Sequence, residues 1–188
     1  MISERLPFSK KSVHTHFVIL AVSWWIGMPL SIVGVFLPEK LELLLGLICL
    51  PLLIVATVFW CILLYRQWFL LQGHGARVTP GKAVGFGFIP FFCFYWWFVA
   101  YAGLATDTNN YLKSIEINST RMSFGLAVTD CILGILLCTI GLVPGVGALI
   151  TLPYMIIGFI LIIQQRDCVL AILQDRESKL EPGAGGNG

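Results

Sequence analysis

The residue best placed to do chemistry is Asp130, which lies about six residues inside the apolar run from Phe124 to Ile163 and is its only charge. An ionisable side chain buried in a membrane helix costs about 2.5 to 3.5 kcal/mol on insertion scales and by default indicates a proton or ion pathway. The alternative is a carboxyl close to the interface, capped by Thr129 or solvated by snorkelling. Both interpretations of Asp130 remain open at this stage.

A second candidate is Lys82, because it ends the stretch GHGARVTPGK that begins at Gly73. A phosphate-binding loop requires Gly, four residues, Gly-Lys and then Ser or Thr, so that amides, lysine and hydroxyl surround the phosphates and magnesium. Five residues lie between Gly75 and Gly81, and Ala83 replaces the hydroxyl. The spacing therefore excludes a nucleotide site, and we expect Lys82 to meet lipid headgroups, where a basic side chain contributes about 1 kcal/mol.

The remaining candidates surround a break in an aromatic segment. Pro90 interrupts this segment, and Cys93 follows at the same break. Backbone groups freed at a break cannot face lipid and must be covered by protein or water, so a site would form there. Asp107 and Asn109 follow the segment and are expected either to cap its end or to reach back to the break.

No arrangement typical of an enzyme, metal or cofactor site is present in the sequence. The histidines lack the spacing of a triad or a two-histidine metal site, and the cysteines lack a CxxC pair. We therefore predict a protein that is not an enzyme, with no catalytic residues, no cofactor and no metal. The residues concerned are His14, His16 and His74, and Cys49, Cys61, Cys93, Cys131, Cys138 and Cys168.

The composition indicates an integral membrane protein. The 188 residues are 57% hydrophobic and 12% charged, with a mean hydropathy of +0.87, whereas soluble domains carry about a quarter charged residues. The net charge of +2 is too small to indicate nucleic-acid binding. The partners expected are the lipid bilayer and other proteins or further copies of the chain, but no nucleic acid.

Hydropathy predicts an all-helical fold with short polar connections. Pro29 and Pro51 are expected to kink the first two spans, and Arg66 and Trp68 to anchor the second at the interface. The predicted regions are a cytoplasmic N-terminus 1–16, transmembrane helices 17–37 and 43–65, a basic loop 66–82, an aromatic Pro-broken segment 83–105, a polar loop 106–123, transmembrane helices 124–141 and 148–163 joined by the VPGVG turn, an amphipathic helix 164–181 and a disordered tail 182–188.

The basic residues decide between two topologies. Five transmembrane helices would place six of the lysines and arginines on each side of the membrane. If residues 83–105 enter and leave the membrane on one side, eleven lie on the cytoplasmic side and only Lys40 lies outside. Because cytoplasmic loops carry an excess of Lys and Arg, the second topology is favoured: four transmembrane helices plus one re-entrant or interfacial segment.

The stretch TPGKAVGFGFIPFFCFYWWFVAYAGLATDTN, from Thr79 to Asn109, carries a family resemblance. It resembles bacterial multi-pass membrane proteins with the signature TPGKAVGF, FIPFF, YW, GLA and D-x-N, a family to which no reaction is assigned. Some relatives are fused to a GYF-like soluble module, which this sequence lacks, and they have Asn where this chain has Cys93. The resemblance implies a location in the bacterial inner membrane.

Two functions are predicted from these features. The scarcity of buried charge favours a non-enzymatic accessory or scaffold subunit that acts through helix packing with partners. The alternative is a small oligomeric transporter or channel, in which the broken segment and Asp130 line the path.

Overall fold

The described part of the chain folds into helices and the turns and loops that join them. The computed structural model describes residues 8–34, 37–141, 143 and 145–180, and this part of the chain contains no strand. The predicted all-helical class is therefore confirmed. Residues 1–7 of the predicted N-terminus, Pro144 of the predicted turn and the predicted tail 182–188 lie outside the described residues.

Seven α-helices, one 3₁₀ turn and one π-helix follow one another along the described chain. They are α1 (Lys10–Gly34), α2 (Glu39–Leu71), α3 (Pro80–Gly85), a 3₁₀ turn (Phe86–Phe88), α4 (Phe92–Trp97), a π-helix (Phe98–Ala102), α5 (Gly103–Ser114), α6 (Phe124–Thr139) and α7 (Val146–Leu180).

Three of these helices are long and apolar enough to cross a membrane: α1, α2 and α7. Helix α6 is equally apolar but has only 16 residues. Pro29 and Pro51 lie inside α1 and α2, as the sequence places them, and α7 contains a third proline, Pro153. The predicted span 148–163 and the predicted helix 164–181 form one continuous element, α7.

A proline, two acidic residues and two glycines mark the limits of α2. Pro38 precedes the helix, and Glu39 and Glu42 lie in its first turn, where carboxylates interact favourably with the helix dipole. The helix ends at Leu71 and is followed by Gly73 and Gly75, both at φ +82°. Only glycine adopts such angles without strain, so the chain turns back at this point.

Contacts between distant residues define one end of the bundle, here called the basic end. Lys10 at the start of α1 forms an ion pair of 2.5 Å with Glu177 near the end of α7. Arg176 of α7 donates a hydrogen bond of 2.7 Å to the carbonyl of Leu70 at the end of α2. The start of α1 and the ends of α2 and α7 therefore meet at the basic end, while Lys40 lies at the far end of α2.

The aromatic segment runs away from the basic end and returns to it. Arg77, before the segment, is paired with Asp107, after it, at 2.6 Å. The rings of His74 and Tyr111 lie 4.4 Å apart in the same region. Between these contacts the chain descends through α3 and the 3₁₀ turn, reverses near Pro90, and returns as a continuous helix through α4, the π-helix and α5.

The reversal is a tight turn centred on Phe91. This residue has φ +61°, unusual for a non-glycine residue, and the Phe92 amide donates to the Pro90 carbonyl at 2.7 Å. The geometry is that of a γ-turn, which is rare and strained when its central residue has positive φ. Trp96 ties the two arms together by donating to the Ala83 carbonyl at 3.1 Å.

Candidate functional site

Asp130 lies where α6 faces α7 and α1. A Cβ built on Gly158 of α7 would lie 3.3 Å from Asp130 Oδ1 and 3.5 Å from the Trp24 ring of α1. Oδ1 is buried and has no hydrogen-bond partner. No ion pair formed by the described residues involves Asp130. A buried charged oxygen without a partner is costly, so this carboxyl is a strong candidate for a functional group.

The carboxyl borders a cavity of about 200 Å³, here called the Asp130 cavity. Its walls come from α1, α2, α4, the π-helix, α6 and α7, so it lies at the centre of the bundle. The lining residues are Trp24, Thr57, Trp60, Trp97, Tyr101, Asp130, Cys131, Gly134, Tyr154, Gly158 and Ile162.

Aromatic rings form most of the wall. The centroids of Trp24 and Tyr154 are 5.6 Å apart, and those of Trp60 and Tyr101 are 5.8 Å apart. Trp97 completes the set and approaches α6 at Gly134, where an added Cβ would lie 3.7 Å from its ring. Because Gly134 and Gly158 have no side chains, aromatic rings pack against the helices at these two positions and the cavity remains open.

A second polar atom of the cavity lining is also unpaired. Trp24 Nε1 is buried and has no hydrogen-bond partner. The cavity residues thus include one unsatisfied acceptor atom, Asp130 Oδ1, and one unsatisfied donor, the Trp24 indole. Buried polar groups are paired in the great majority of cases, and the exceptions call for a specific explanation such as an unseen ligand or water.

The π-helix brings Tyr101 to the cavity. π-turns are rare, and they occur frequently at functional sites because the extra residue displaces the helix backbone. Trp68 donates from Nε1 to the Ala100 carbonyl within this turn at 2.9 Å. Trp68 is fully buried, so its prediction as an interface anchor is wrong: the indole hydrogen-bonds the distorted backbone instead of lipid headgroups.

Two further cavities adjoin the Asp130 cavity. A passage of about 110 Å³ shares Thr57, Trp60, Trp97 and Tyr101 with it. The passage in turn shares Thr57, Cys61, Val84 and Phe88 with an apolar groove of about 910 Å³ on the outer face of α2. From the side of the bundle to the Asp130 cavity, each of the three spaces therefore shares lining residues with the next.

Asp107 and Asn109 lie elsewhere and hold the returning segment in place. Asp107 accepts from Arg77 Nε at 2.9 Å, Nη2 at 2.6 Å and the backbone amide at 3.2 Å. Asn109 donates to the Met122 carbonyl at 2.8 Å and accepts from its amide at 2.9 Å. Both residues lie within α5, so the predictions that they cap a helix end or cover the break are corrected: their partners are Arg77 and Met122.

The other predicted site residues lie along the broken segment. Lys82 is exposed in α3, Pro90 is exposed at the reversal, and Cys93 is partly buried in α4. None of these three described residues lines the Asp130 cavity. Six free cysteines are present, among them Cys131 in the cavity wall.

The sequence did not identify the aromatic partners of Asp130. Trp24, Trp60 and Tyr154 belong to three different helices and follow no motif. The available signals were the density of aromatic residues in the segment around Trp97 and the isolated charge of Asp130. Neither indicates which rings surround the carboxyl.

No family model, curated protein or solved structure matches this chain. The resemblance of Thr79 to Asn109 to a bacterial membrane family therefore stays a prediction, and the interpretation of the site depends on its geometry.

Proposed function

We propose that the protein spans the membrane with α1, α2, α6 and α7, and that α3 and α4 form a re-entrant hairpin entering from the cytoplasmic side. The apolar exterior of α2 supports this arrangement, since Leu43, Leu47 and Leu50 are 60–69% exposed and such a surface is stable in lipid. Helix α6 extends about 24 Å at 1.5 Å per residue, close to the hydrocarbon thickness once its flanking residues are included.

Two observations support a re-entrant path. The Arg77–Asp107 pair brings both ends of the segment to the basic end. Gly87 and Phe88, near the reversal, line the passage together with Thr57 of α2. Thr57 lies nine residues before Arg66, or about 14 Å along the helix, so the segment turns back partway along α2. The positive-inside rule assigns the basic end to the cytoplasm, and in the resembling family this is the cytoplasm of a bacterium.

Cysteine labelling tests this topology in intact cells. Lys113→Cys and Ser178→Cys, in a background without native cysteines, are expected to react only with reagents that reach the cytoplasm. Lys40→Cys is expected to react from outside and serves as the matched opposite control. Labelling of Lys113→Cys from outside would overturn the re-entrant arrangement and favour five transmembrane helices.

For the function itself, we propose that the protein binds a small solute within the membrane, with Asp130 as the polar anchor, as part of a transport path. The observation that carries the proposal is the unpaired Asp130 Oδ1 beside an open cavity. A carboxyl needed only for packing would be hydrogen-bonded, or replaced by an apolar residue at lower cost. The predicted accessory role is compatible with the apolar exterior of α2 but makes no use of this cavity.

Chemical modification tests whether the site accepts a solute. Diisopropylcarbodiimide, a small apolar reagent, adds to accessible carboxyls and leaves a stable N-acylurea that peptide mass spectrometry locates. In the full-length protein in lipid nanodiscs, Asp130 is expected to be modified. Asp107 in the same chain is the internal control and is expected to stay unmodified, because Arg77 occupies its oxygens. Folded protein in which Asp130 remains unmodified would contradict the proposed solute site.

A further inference from the structure

We propose that the solute is a small organic cation, an ammonium group carrying apolar substituents. This inference rests on the proposed solute site and specifies its ligand class. The Asp130 cavity combines one carboxylate with five aromatic rings, and no described lysine or arginine lines it. Both the carboxylate and the aromatic rings attract positive charge, so a cation is the ligand that this cavity favours.

The aromatic rings supply the first part of this recognition. The faces of Trp and Tyr rings carry negative potential, and they attract a cation held within about 6 Å of the ring centroid. Three of the rings are tryptophans, which give the strongest such attraction. Quaternary ammonium groups are commonly bound in cages of this kind because their charge is spread over apolar methyl groups.

The carboxylate supplies the second part. Asp130 Oδ1 has no protein partner, so a ligand cation would compensate a charge that the fold leaves unpaired. Charge pairing is strong in a water-poor cavity because the effective dielectric constant is low. A neutral ligand of the same shape would leave the carboxylate unpaired and is expected to bind more weakly.

The size of the cavity limits the ligand. About 200 Å³ lies below the 300–1,000 Å³ range of sites for drug-sized molecules. The lining residues otherwise offer few polar groups, so the remainder of the ligand is expected to be apolar. Benzyltrimethylammonium satisfies both conditions and is used here as the probe.

The test compares two probes of the same shape. Benzyltrimethylammonium is expected to slow the carbodiimide modification of Asp130 at least tenfold, whereas neopentylbenzene, with carbon in place of the charged nitrogen, is expected to have little effect at the same concentration. Tryptophan fluorescence gives an independent measure of binding, which Asp130→Asn is expected to abolish. Asp175→Asn, the same change at the basic end, serves as the control and is expected to bind normally.

The outcomes separate this inference from the proposed function. Modification of Asp130 is measured before either probe is added, and its absence would remove the solute site altogether. If Asp130 is modified but both probes protect equally, or neither protects, the site stands and the cation inference is overturned. Binding by Asp130→Asn equal to that of the unchanged protein would also overturn it.

A different observation, the series of adjoining cavities, leads us to infer that the ligand enters from the side. Val84 lines both the groove and the passage. The groove is open on the outer face of α2, where Ile54 and Val58 are 50–55% exposed. A cation with apolar substituents would partition into the bilayer, reach this groove and pass beneath the broken segment to Asp130.

Substitutions at Val84 test this route. Val84→Trp is expected to slow the modification of Asp130 at least tenfold. Val22→Trp, at a 52% exposed position of α1 that lines none of the three spaces, adds the same bulk and is expected to leave the rate unchanged. Val84→Ala removes bulk from the passage and is expected to increase the rate, so the test does not depend on how well the Trp variant folds. Rates unaffected by both Val84 substitutions would exclude the lateral route.

Discussion

Two aspartates in one bundle, Asp107 and Asp130, meet opposite environments. Asp107 is 8% exposed and accepts side-chain and backbone hydrogen bonds from Arg77. Asp130 Oδ1 is buried beside a cavity and accepts none. The difference shows that burial of a carboxylate oxygen does not by itself mean that the fold supplies hydrogen-bond partners for it. Arg77 supplies such partners to Asp107, whereas Asp130 Oδ1 has none.

The surroundings of the two residues differ in the same way. Near Asp107, Asn109 is paired twice with the Met122 backbone. Gln67 donates to Thr108 at 2.9 Å, although its own Oε1 is unpaired. Around Asp130 the neighbours are aromatic rings, and the nearby Trp24 indole is itself unpaired. The hydrogen bonds near Asp107 hold the returning segment in place. The residues around Asp130 instead leave an unfilled cavity and two unpaired polar atoms.

The largest effect is expected for Asp107→Ala. This change leaves Arg77 without its carboxylate and removes charged hydrogen bonds, which contribute about 1.5 to 3 kcal/mol each. Arg77 is half exposed, so water recovers part of the loss, and we expect the free energy of unfolding to fall by about 2 kcal/mol. Thermal unfolding in detergent measures this loss. Asp175→Ala is the control, because it removes a carboxylate whose partner one helical turn away, Lys179, is 62% exposed. A stability equal to that of the control would show that the Arg77–Asp107 pair does not stabilise the fold.

A smaller loss is expected for Asn109→Ala. The variant loses two neutral hydrogen bonds to the Met122 backbone. Because Asn109 is partly exposed, water replaces part of them and we expect a total loss of about 1 kcal/mol. The neighbouring Asn110 is exposed, so Asn110→Ala makes the same change without breaking these bonds. Denaturant unfolding of the two variants side by side gives the difference. Equal stabilities would mean that the Asn109–Met122 pairing does not hold the segment.

The smallest effect on stability is expected for Asp130→Asn. The change removes the cost of burying a charge and breaks no hydrogen bond to Oδ1, so the unfolding temperature should stay the same or rise. The proposed solute binding is expected to be lost. A marked fall in stability, comparable to that of Asp107→Ala, would show that Asp130 has a structural role and would erase the contrast between the two residues.

Local features of the fold were predictable because they depend on neighbouring residues. The apolar run around Asp130 predicts a helix, and α6 forms there; Pro90 predicts a break, and the chain reverses at Phe91. The roles of Trp68, Asp107 and Asn109 were predicted incorrectly. Each side chain hydrogen-bonds a residue that is 13 to 32 positions away, and hydropathy does not specify such partners.

The sequence by itself determined that the fold is all helical, that long apolar helices are present, and that one charge lies within the otherwise apolar α6. These properties follow from composition and from the order of residues along each helix. Only the tertiary structure decided what surrounds that charge. The rings of Trp24 and Tyr154 come from helices more than 100 residues apart in the chain, and they meet at Asp130 because Gly158 and Gly134 permit close packing. Steric fit between helices, which no local pattern encodes, created the cavity.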